Sequence, residues 1–261
     1  APGGITSGLT LWLRADQIDG TTVQGDGTNV NTWTDRGLGH NASVTDATNT
    51  GISRPQYRNN ATNNINFNPV VDFTNVTATS PKDVSYTLAN RQYLFGSGGF
   101  NTQELYIVVV PDNTVNNALN PPMDLFTSKL NSTNFYDEDV TGFGLGAYSA
   151  RYDNEMVGYA LSTNPTPTPA DVNLRGYGVA QTGATSYAAG TIMVLSARNT
   201  VAGTGEELYL NGTNIGDTEV GVPQFTNQTN GRFWLGRSQA FDGSFDGKIA
   251  EVISYSSRRD D

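Results

Sequence analysis

The chain has 261 residues, 15 Lys+Arg against 25 Asp+Glu for a net charge of −10, one histidine and no cysteine. That balance excludes nucleic acid as a partner, because the few cations form no stripe that would release counterions, and it excludes disulfides, thiol chemistry and histidine-rich zinc sites. No run of eighteen apolar residues spans a membrane and no signal peptide is visible, while the polar load is carried by Asn, Thr, Ser and Gly as in secreted β proteins.

In chain order the first predicted strand covers residues 9–13, where Leu9, Leu11 and Leu13 share one face and Trp12 takes the other. A loop over 16–27 leads to a short strand at 30–33 that ends on Asp35-Arg36-Gly37. Residues 39–68 are polar and rich in Asn and Thr, which predicts a long ordered loop with short strands. Strands follow at 69–73 and 93–95. The run 104–110, Glu-Leu-Tyr-Ile-Val-Val-Val, reads as a central strand buried on both faces because its β-branched run is unbroken. Sheet resumes at 123–127, and 142–148 alternates glycine with larger residues, as close strand approach or a bulge requires.

The proline-punctuated run 164–169 reads either as an interdomain linker or as an extended surface loop. Strands of the same style on both sides favour the loop, so the expectation is one domain over 1–261 with long loops near 39–68 and 162–172. Further strands are predicted at 192–197 and 207–210, the latter turning back through Asn211-Gly212, a strong two-residue hairpin signal. The last strands cover 233–236 and 247–255, where Ile249, Glu251, Ile253 and Tyr255 alternate with Ala250, Val252 and Ser254. No segment of twelve residues carries a helical period. Many short strands with such turns predict an all-β sandwich.

Several stretches resemble the laminin-G-like, concanavalin A-like jelly-roll modules of bacterial surface proteins. They are Gly8-Leu9-Thr10-Leu11-Trp12-Leu13-Arg14-Ala15-Asp16, the Trp33-Thr34-Asp35-Arg36-Gly37 block followed by His40-Asn41-Ala42, the Leu208-Tyr209-Leu210-Asn211-Gly212 hairpin, and the closing run from Phe241-Asp242-Gly243 to Tyr255. The resemblance implies a jelly-roll β-sandwich of two antiparallel sheets. It further implies a secreted or cell-surface location, neighbouring domains in a longer chain, and a lectin-like or adhesive role toward carbohydrate or another surface protein. A structural spacer within an adhesin is the competing expectation.

Catalysis is not expected. A glucanase-type jelly roll needs paired carboxylates on one strand face, whereas the dense cluster Asp137-Glu138-Asp139 reads as a solvated turn, and Glu206-Glu207 as the cap of a loop. The sole histidine, His40, sits in a Gly/Asn turn without a nucleophile motif. For a metal, hard oxygen ligands favour a structural calcium, and the resemblance brings the first and last strands together, which nominates Asp16, Asp35 and Asp246. A competing reading gives Asp35 and Asp246 to hydrogen bonds within their own turns. Sugar binding asks for aromatic platforms beside polar partners, for which the loop tyrosines Tyr136, Tyr148, Tyr152 and Tyr187 are the candidates, with Trp33 and Trp234 assigned to the core. Six N-x-S/T sequons begin at Asn41, Asn60, Asn75, Asn131, Asn211 and Asn227.

Overall fold

In the computed structural model, the described residues are 2–20, 23–44, 53–75, 92–116, 123–129, 139–145, 157–161, 175–176, 186–199, 206–214, 229–237 and 245–259. They carry eighteen strands: β1 (Leu9–Arg14), β2 (Thr32–Trp33), β3 (Ala42–Ser43), β4 (Gln56–Arg58), β5 (Val70–Phe73), β6 (Leu94–Asn101), β7 (Glu104–Pro111), β8 (Val115–Asn116), β9 (Met123–Lys129), β10 (Asp139–Leu145), β11 (Val157–Leu161), β12 (Arg175–Gly176), β13 (Ser186–Tyr187), β14 (Met193–Asn199), β15 (Glu206–Leu210), β16 (Thr213–Asn214), β17 (Thr229–Leu235) and β18 (Gly247–Tyr255). Helical structure among these residues is limited to two 3₁₀ turns, Pro2–Gly4 and Ala15–Gln17, and no helix is long and apolar enough to cross a membrane.

The strands form two eight-stranded antiparallel sheets, the sandwich that the alternating pattern predicts and the jelly roll that the resemblance implies. The first runs β16-β15-β14-β7-β18-β5-β4, with β1 also paired to β18; the second runs β12-β11-β10-β9-β17-β6-β3-β2, and β8 pairs with β13 apart from both. Strands from either side of 162–174 share both sheets; the proline run itself lies outside the described residues. The closing strand β18 lies along β7 on one edge, while β5 and β1 divide its other edge between them. The chain's first strand therefore pairs with its last.

One core fills the space between the sheets. Leu11 and Leu13 of β1, Leu105, Ile107 and Val109 of β7, and Met193 and Leu195 of β14 face Leu125, Phe126, Phe143, Phe233 and Leu235 of the second sheet. Burying each such side chain contributes about 2 kcal/mol before entropy is counted. Phe126 stacks on Phe233 at 5.7 Å, and Phe100 meets the same ring edge-on at 5.7 Å. Trp33 is in this core and Trp234 is buried, as the sequence predicts. The hairpin at Asn211-Gly212 also forms as expected, with left-handed φ of 50° and 78° and Leu210 opposite Thr213.

Two expectations need correction. The central strand β7 is buried on both faces only towards its ends: on its outer side Glu104 and Val110 are buried, whereas Tyr106 and Val108 are half-buried, because the second sheet covers the inner side alone. In β18 the simple alternation breaks at a bulge, where Ile249 pairs with Val109 but Glu251 pairs with Val108. Ile249 and Val252 then both reach the core, while Ala250 packs in a small outer cluster with Ile65, Val70 and Val110.

Candidate functional site

Period-two alternation decides what the outer face of the first sheet displays. Since Leu11 and Leu13 point inward, Trp12 and Arg14 point outward; since Met193 and Leu195 point inward, Val194 and Ser196 point outward. A groove of ≈ 230 Å³ lies on this face. Val108, Val194 and Ala250 make its apolar floor, the segment around Ile65 and Pro69 makes one wall, and Arg14, Asp16 and Glu251 supply its charges. The β18 bulge contributes two consecutive residues, Ala250 and Glu251, which a regular strand would have sent to opposite faces. Among the described residues six large apolar side chains are exposed, and two of them, Ile192 and Val194 (39 % each), line this groove. A third, Phe67 at 93 %, sits between the groove-lining Asn66 and Asn68.

The charged end is a preorganised network. Arg14 donates through Nε to Asp16 Oδ1 at 2.6 Å and through Nη2 to Asp16 Oδ2, a two-pronged contact. Its guanidinium lies 5.0 Å from the Trp12 ring centroid, and the Trp12 indole N–H donates to Glu251 Oε1 at 2.6 Å. The Asp16 hydrogen bond raises the Arg14 pKa above its ordinary value; desolvation opposes this, and the charges of Asp16 and Glu251 add to it. One cation thus serves two carboxylates.

Further along the same face Arg198 and Glu207 are direct cross-strand partners, joined at 2.7 Å. Arg258 and the Tyr209 hydroxyl also donate to Glu207. Desolvation pushes the Glu207 pKa up, but hydrogen bonds from Arg258, Tyr209 and Arg198 outweigh it and hold the pKa below the usual range. Glu207 is therefore a strand residue, as the strand predicted at 207–210 has it, and its carboxylate serves an ion-pair cluster rather than capping a loop. Beside it Tyr106 donates to Glu104, and burial, then that hydrogen bond, raises the Tyr106 pKa. The Arg198 and Arg259 guanidinium groups lie 4.9 and 4.4 Å from the ring centroids of Tyr209 and Tyr255. These rings are occupied by the protein's own cations.

The three aspartates nominated for calcium do not assemble. Asp16 is bound to Arg14. Asp35, 7 % exposed, accepts four backbone N–H groups: Trp12 at 2.6 Å and Gly37 at 2.7 Å on Oδ1, and Gly39 and His40 at 2.8 Å each on Oδ2. Those donors take the lone pairs a cation would need. Asp246 accepts from the Asn75 backbone at 3.0 Å and the Asn113 side chain at 2.7 Å. Among the described residues no group of three or more His, Asp or Glu is arranged to hold a metal ion, so the residues present do not fit the expected site.

Of the tyrosines proposed as platforms, Tyr136, Tyr148 and Tyr152 lie outside the described residues. Tyr187, on β13, is half-buried and packs against the core, and that burial raises its pKa. The His40 ring lies tilted against Phe100, with centroids 4.9 Å apart. Of the acidic turn at 137–139, only Asp139 is described, at the start of β10. Among the sequon asparagines Asn75 is buried, its amide donating to the carbonyls of Gln92 and Phe245, which leaves no room for a glycan.

Sequence reasoning missed Arg14, Glu251, Val194 and Phe67. Arg14 carried a legible signal, since it follows Trp12 by two residues and must share its face. A second cavity of ≈ 240 Å³ is lined by Ile18, Asp19, Gln24, Asn29, Asn31 and Tyr57, among others.

No protein-family model matches the chain, and no curated protein matches it. Among solved structures, Trypanosoma rangeli sialidase in complex with sialic acid is 14 % identical with a TM-score of 0.42, covering 97 % of this chain and 31 % of that one. The Ruminococcus gnavus IT-sialidase CBM40 bound to α2,3-sialyllactose is 14 % identical with a TM-score of 0.39, covering 63 % of this chain and 78 % of that one. The same CBM40 in a second structure is 12 % identical with a TM-score of 0.39, covering 63 % of this chain and 89 % of that one. The chain thus spans about a third of the length of the sialidase it matches. At these scores the likeness says nothing of a ligand, and the sandwich stands on its own strand pairing.

Proposed function

We propose that this chain is a non-catalytic carbohydrate-binding domain of a larger secreted or cell-surface bacterial protein, its ligand seated in the groove on the outer face of the first sheet. The observation that carries the reading is the groove's composition: the solvent-exposed apolar side chains of Ile192 and Val194 beside a locked Trp12–Arg14–Asp16–Glu251 network. Carbohydrate recognition asks for that combination, an apolar surface for the sugar's C–H face and fixed polar groups for its hydroxyls. Catalysis asks for something else. A glycosidase needs two carboxylates with separate acid and base roles, whereas Asp16 and Glu251 are already committed to Arg14 and Trp12.

The test is a broad glycan array in calcium, repeated in EDTA, with the wild-type chain and Val194→Arg. That substitution fills the groove floor from the outer face without touching the core. Binding that falls roughly tenfold or more in the variant, at an unchanged melting temperature, supports the reading. Binding lost in EDTA adds a calcium-supported element to it. A blank array in both conditions overturns it in favour of a spacer or protein-binding domain.

A further inference from the structure

We propose that the turn 65–68 is the ligand-contacting rim of the groove, that Phe67 is its stacking ring, and that the ligand is a neutral rather than an acidic sugar chain. This rests on the carbohydrate-binding reading above and specifies it.

The turn is a two-residue hairpin. The Ile65 N–H donates to the Asn68 carbonyl at 2.9 Å and the Asn68 N–H returns to the Ile65 carbonyl at 2.8 Å, with left-handed φ of 47° at Asn66 and 67° at Phe67. The molecule contains the same geometry at Asn211-Gly212, with φ of 50° and 78°. There the second central residue is glycine, as a type I′ turn prefers. At 65–68 it is phenylalanine, whose Cβ is strained in the left-handed region. Packing does not offset the strain, since the side chain is 93 % exposed. A residue that is costly in the backbone and unrewarded in the core points to a function outside the fold.

The turn's surroundings identify that function. Ile65 is buried in the outer cluster with Val70, Val110 and Ala250, which anchors the turn rigidly. Asn66 and Asn68, on either side of Phe67, line the groove. An exposed aromatic ring flanked by two planar amides on a fixed turn is the equipment for stacking on one face of a pyranose while hydrogen-bonding its hydroxyls.

Charge then selects among sugars. The charged groove residues are Arg14, Asp16 and Glu251, one positive and two negative, within a chain of net charge −10. Arg14 is the only one of the three that attracts an anion, and its prongs are on Asp16 and its guanidinium is set over Trp12. A sugar carboxylate entering the groove meets two carboxylates and a single guanidinium whose Nε and Nη2 are already held by Asp16. Neutral hydroxyls can be accepted by the same carboxylates at no such cost.

The experiment titrates neutral gluco-, manno- and galacto-tetraose, and acidic α2,3-sialyllactose and tetragalacturonate, against the wild-type chain, Phe67→Gly and Phe67→Tyr. The expected result is binding of at least one neutral tetraose, no stronger binding of either acidic probe, and roughly tenfold weaker binding by Phe67→Gly at an unchanged or higher melting temperature. Phe67→Tyr retains the wild-type affinity. Tighter binding of an acidic probe overturns the neutral selection, and full affinity in Phe67→Gly overturns the role of the ring. A lowered melting temperature in Phe67→Gly overturns the argument that the ring is there for a ligand. Failure of every probe with the wild type, together with a blank array, sinks the carbohydrate reading itself.

Discussion

Replacing Asp35 by alanine tests whether one side chain holds the start of the sandwich together. Its carboxylate accepts four backbone N–H groups, one from β1 and three from the turn after itself. The same segment is pinned to β1 by the Arg36 N–H to the Trp12 carbonyl at 2.8 Å and by a bridge between Leu13 and Asp35. The Trp12 N–H lies within the sheet, so losing its acceptor costs about 1–3 kcal/mol of unrecovered desolvation. Gly37, Gly39 and His40 are half-buried or exposed, so water recovers part of their loss, leaving about 0.5–1 kcal/mol each. The sum is about 2.5–6 kcal/mol, or on the order of 10 °C in melting temperature for a domain of this size. Urea unfolding of wild type, Asp35→Ala and Asp35→Asn, in calcium and again in EDTA, measures it. Asp35→Asn keeps one acceptor oxygen but turns an N–H₂ toward two donors, and falls between the other two. A loss below about 1 kcal/mol would refute the turn's importance. A loss present in calcium but absent in EDTA would mean that Asp35 acts through a cation rather than through its four N–H donors.

Gly96→Ala would place a methyl 2.1 Å from a Phe233 ring carbon and 3.0 Å from the Asn41 carbonyl; overpacking of that kind costs about 1–3 kcal/mol, read as a lower urea midpoint, and an unchanged midpoint would mean the ring does not sit over this glycine. Asp246 gives stability a pH dependence of definite sign. Burial raises its pKa, Asp112 and Asp72 add to the rise, and the hydrogen bonds from Asn113 and Asn75 oppose it. An acid whose pKa rises on folding contributes stability that is present below its unfolded value and lost as pH climbs through the folded one. Asp246→Asn therefore flattens the fall in stability just above the ordinary aspartate range, and an unaltered slope in unfolding midpoints would contradict this. Glu207 has the opposite sign: with its pKa held below the usual range on folding, its stabilisation is present above the ordinary glutamate range and lost as pH falls through the depressed value. Glu207→Gln loses stability at neutral pH and converges on wild type in acid, and a constant gap at every pH would exclude the ion-pair explanation.

What is legible in the sequence is whatever a short stretch of chain decides for itself. Leu11 and Leu13 on one side and Trp12 on the other make β1 a strand wherever it lies, because side chains alternate with period two; the bulge between Leu9 and Leu11, which takes Leu9 out of that alternation, and the burial of both faces along the middle of β1 are not local. Asn211-Gly212 turns the chain because only a type I′ turn relieves both left-handed residues at small cost. Asp35 before Gly37 makes its own turn because its carboxylate reaches the N–H groups just ahead of it. From such pieces the all-β sandwich follows.

The site does not. Arg14 faces Glu251 only because β1 pairs with β18, and the Trp12–Glu251 hydrogen bond joins residues 239 positions apart. Ala250 and Glu251 both reach the groove because of a bulge, and one inserted residue leaves no mark on a run that alternates acceptably in either phase. Asn66-Phe67 carries no glycine, so nothing local announces a hairpin turn there. That conformation is held by Ile65 buried on the outside of the first sheet. Alternation says which side chains share a face. Which strands lie side by side, and in what register, is settled by the packing of the whole chain, and the groove is made at those junctions.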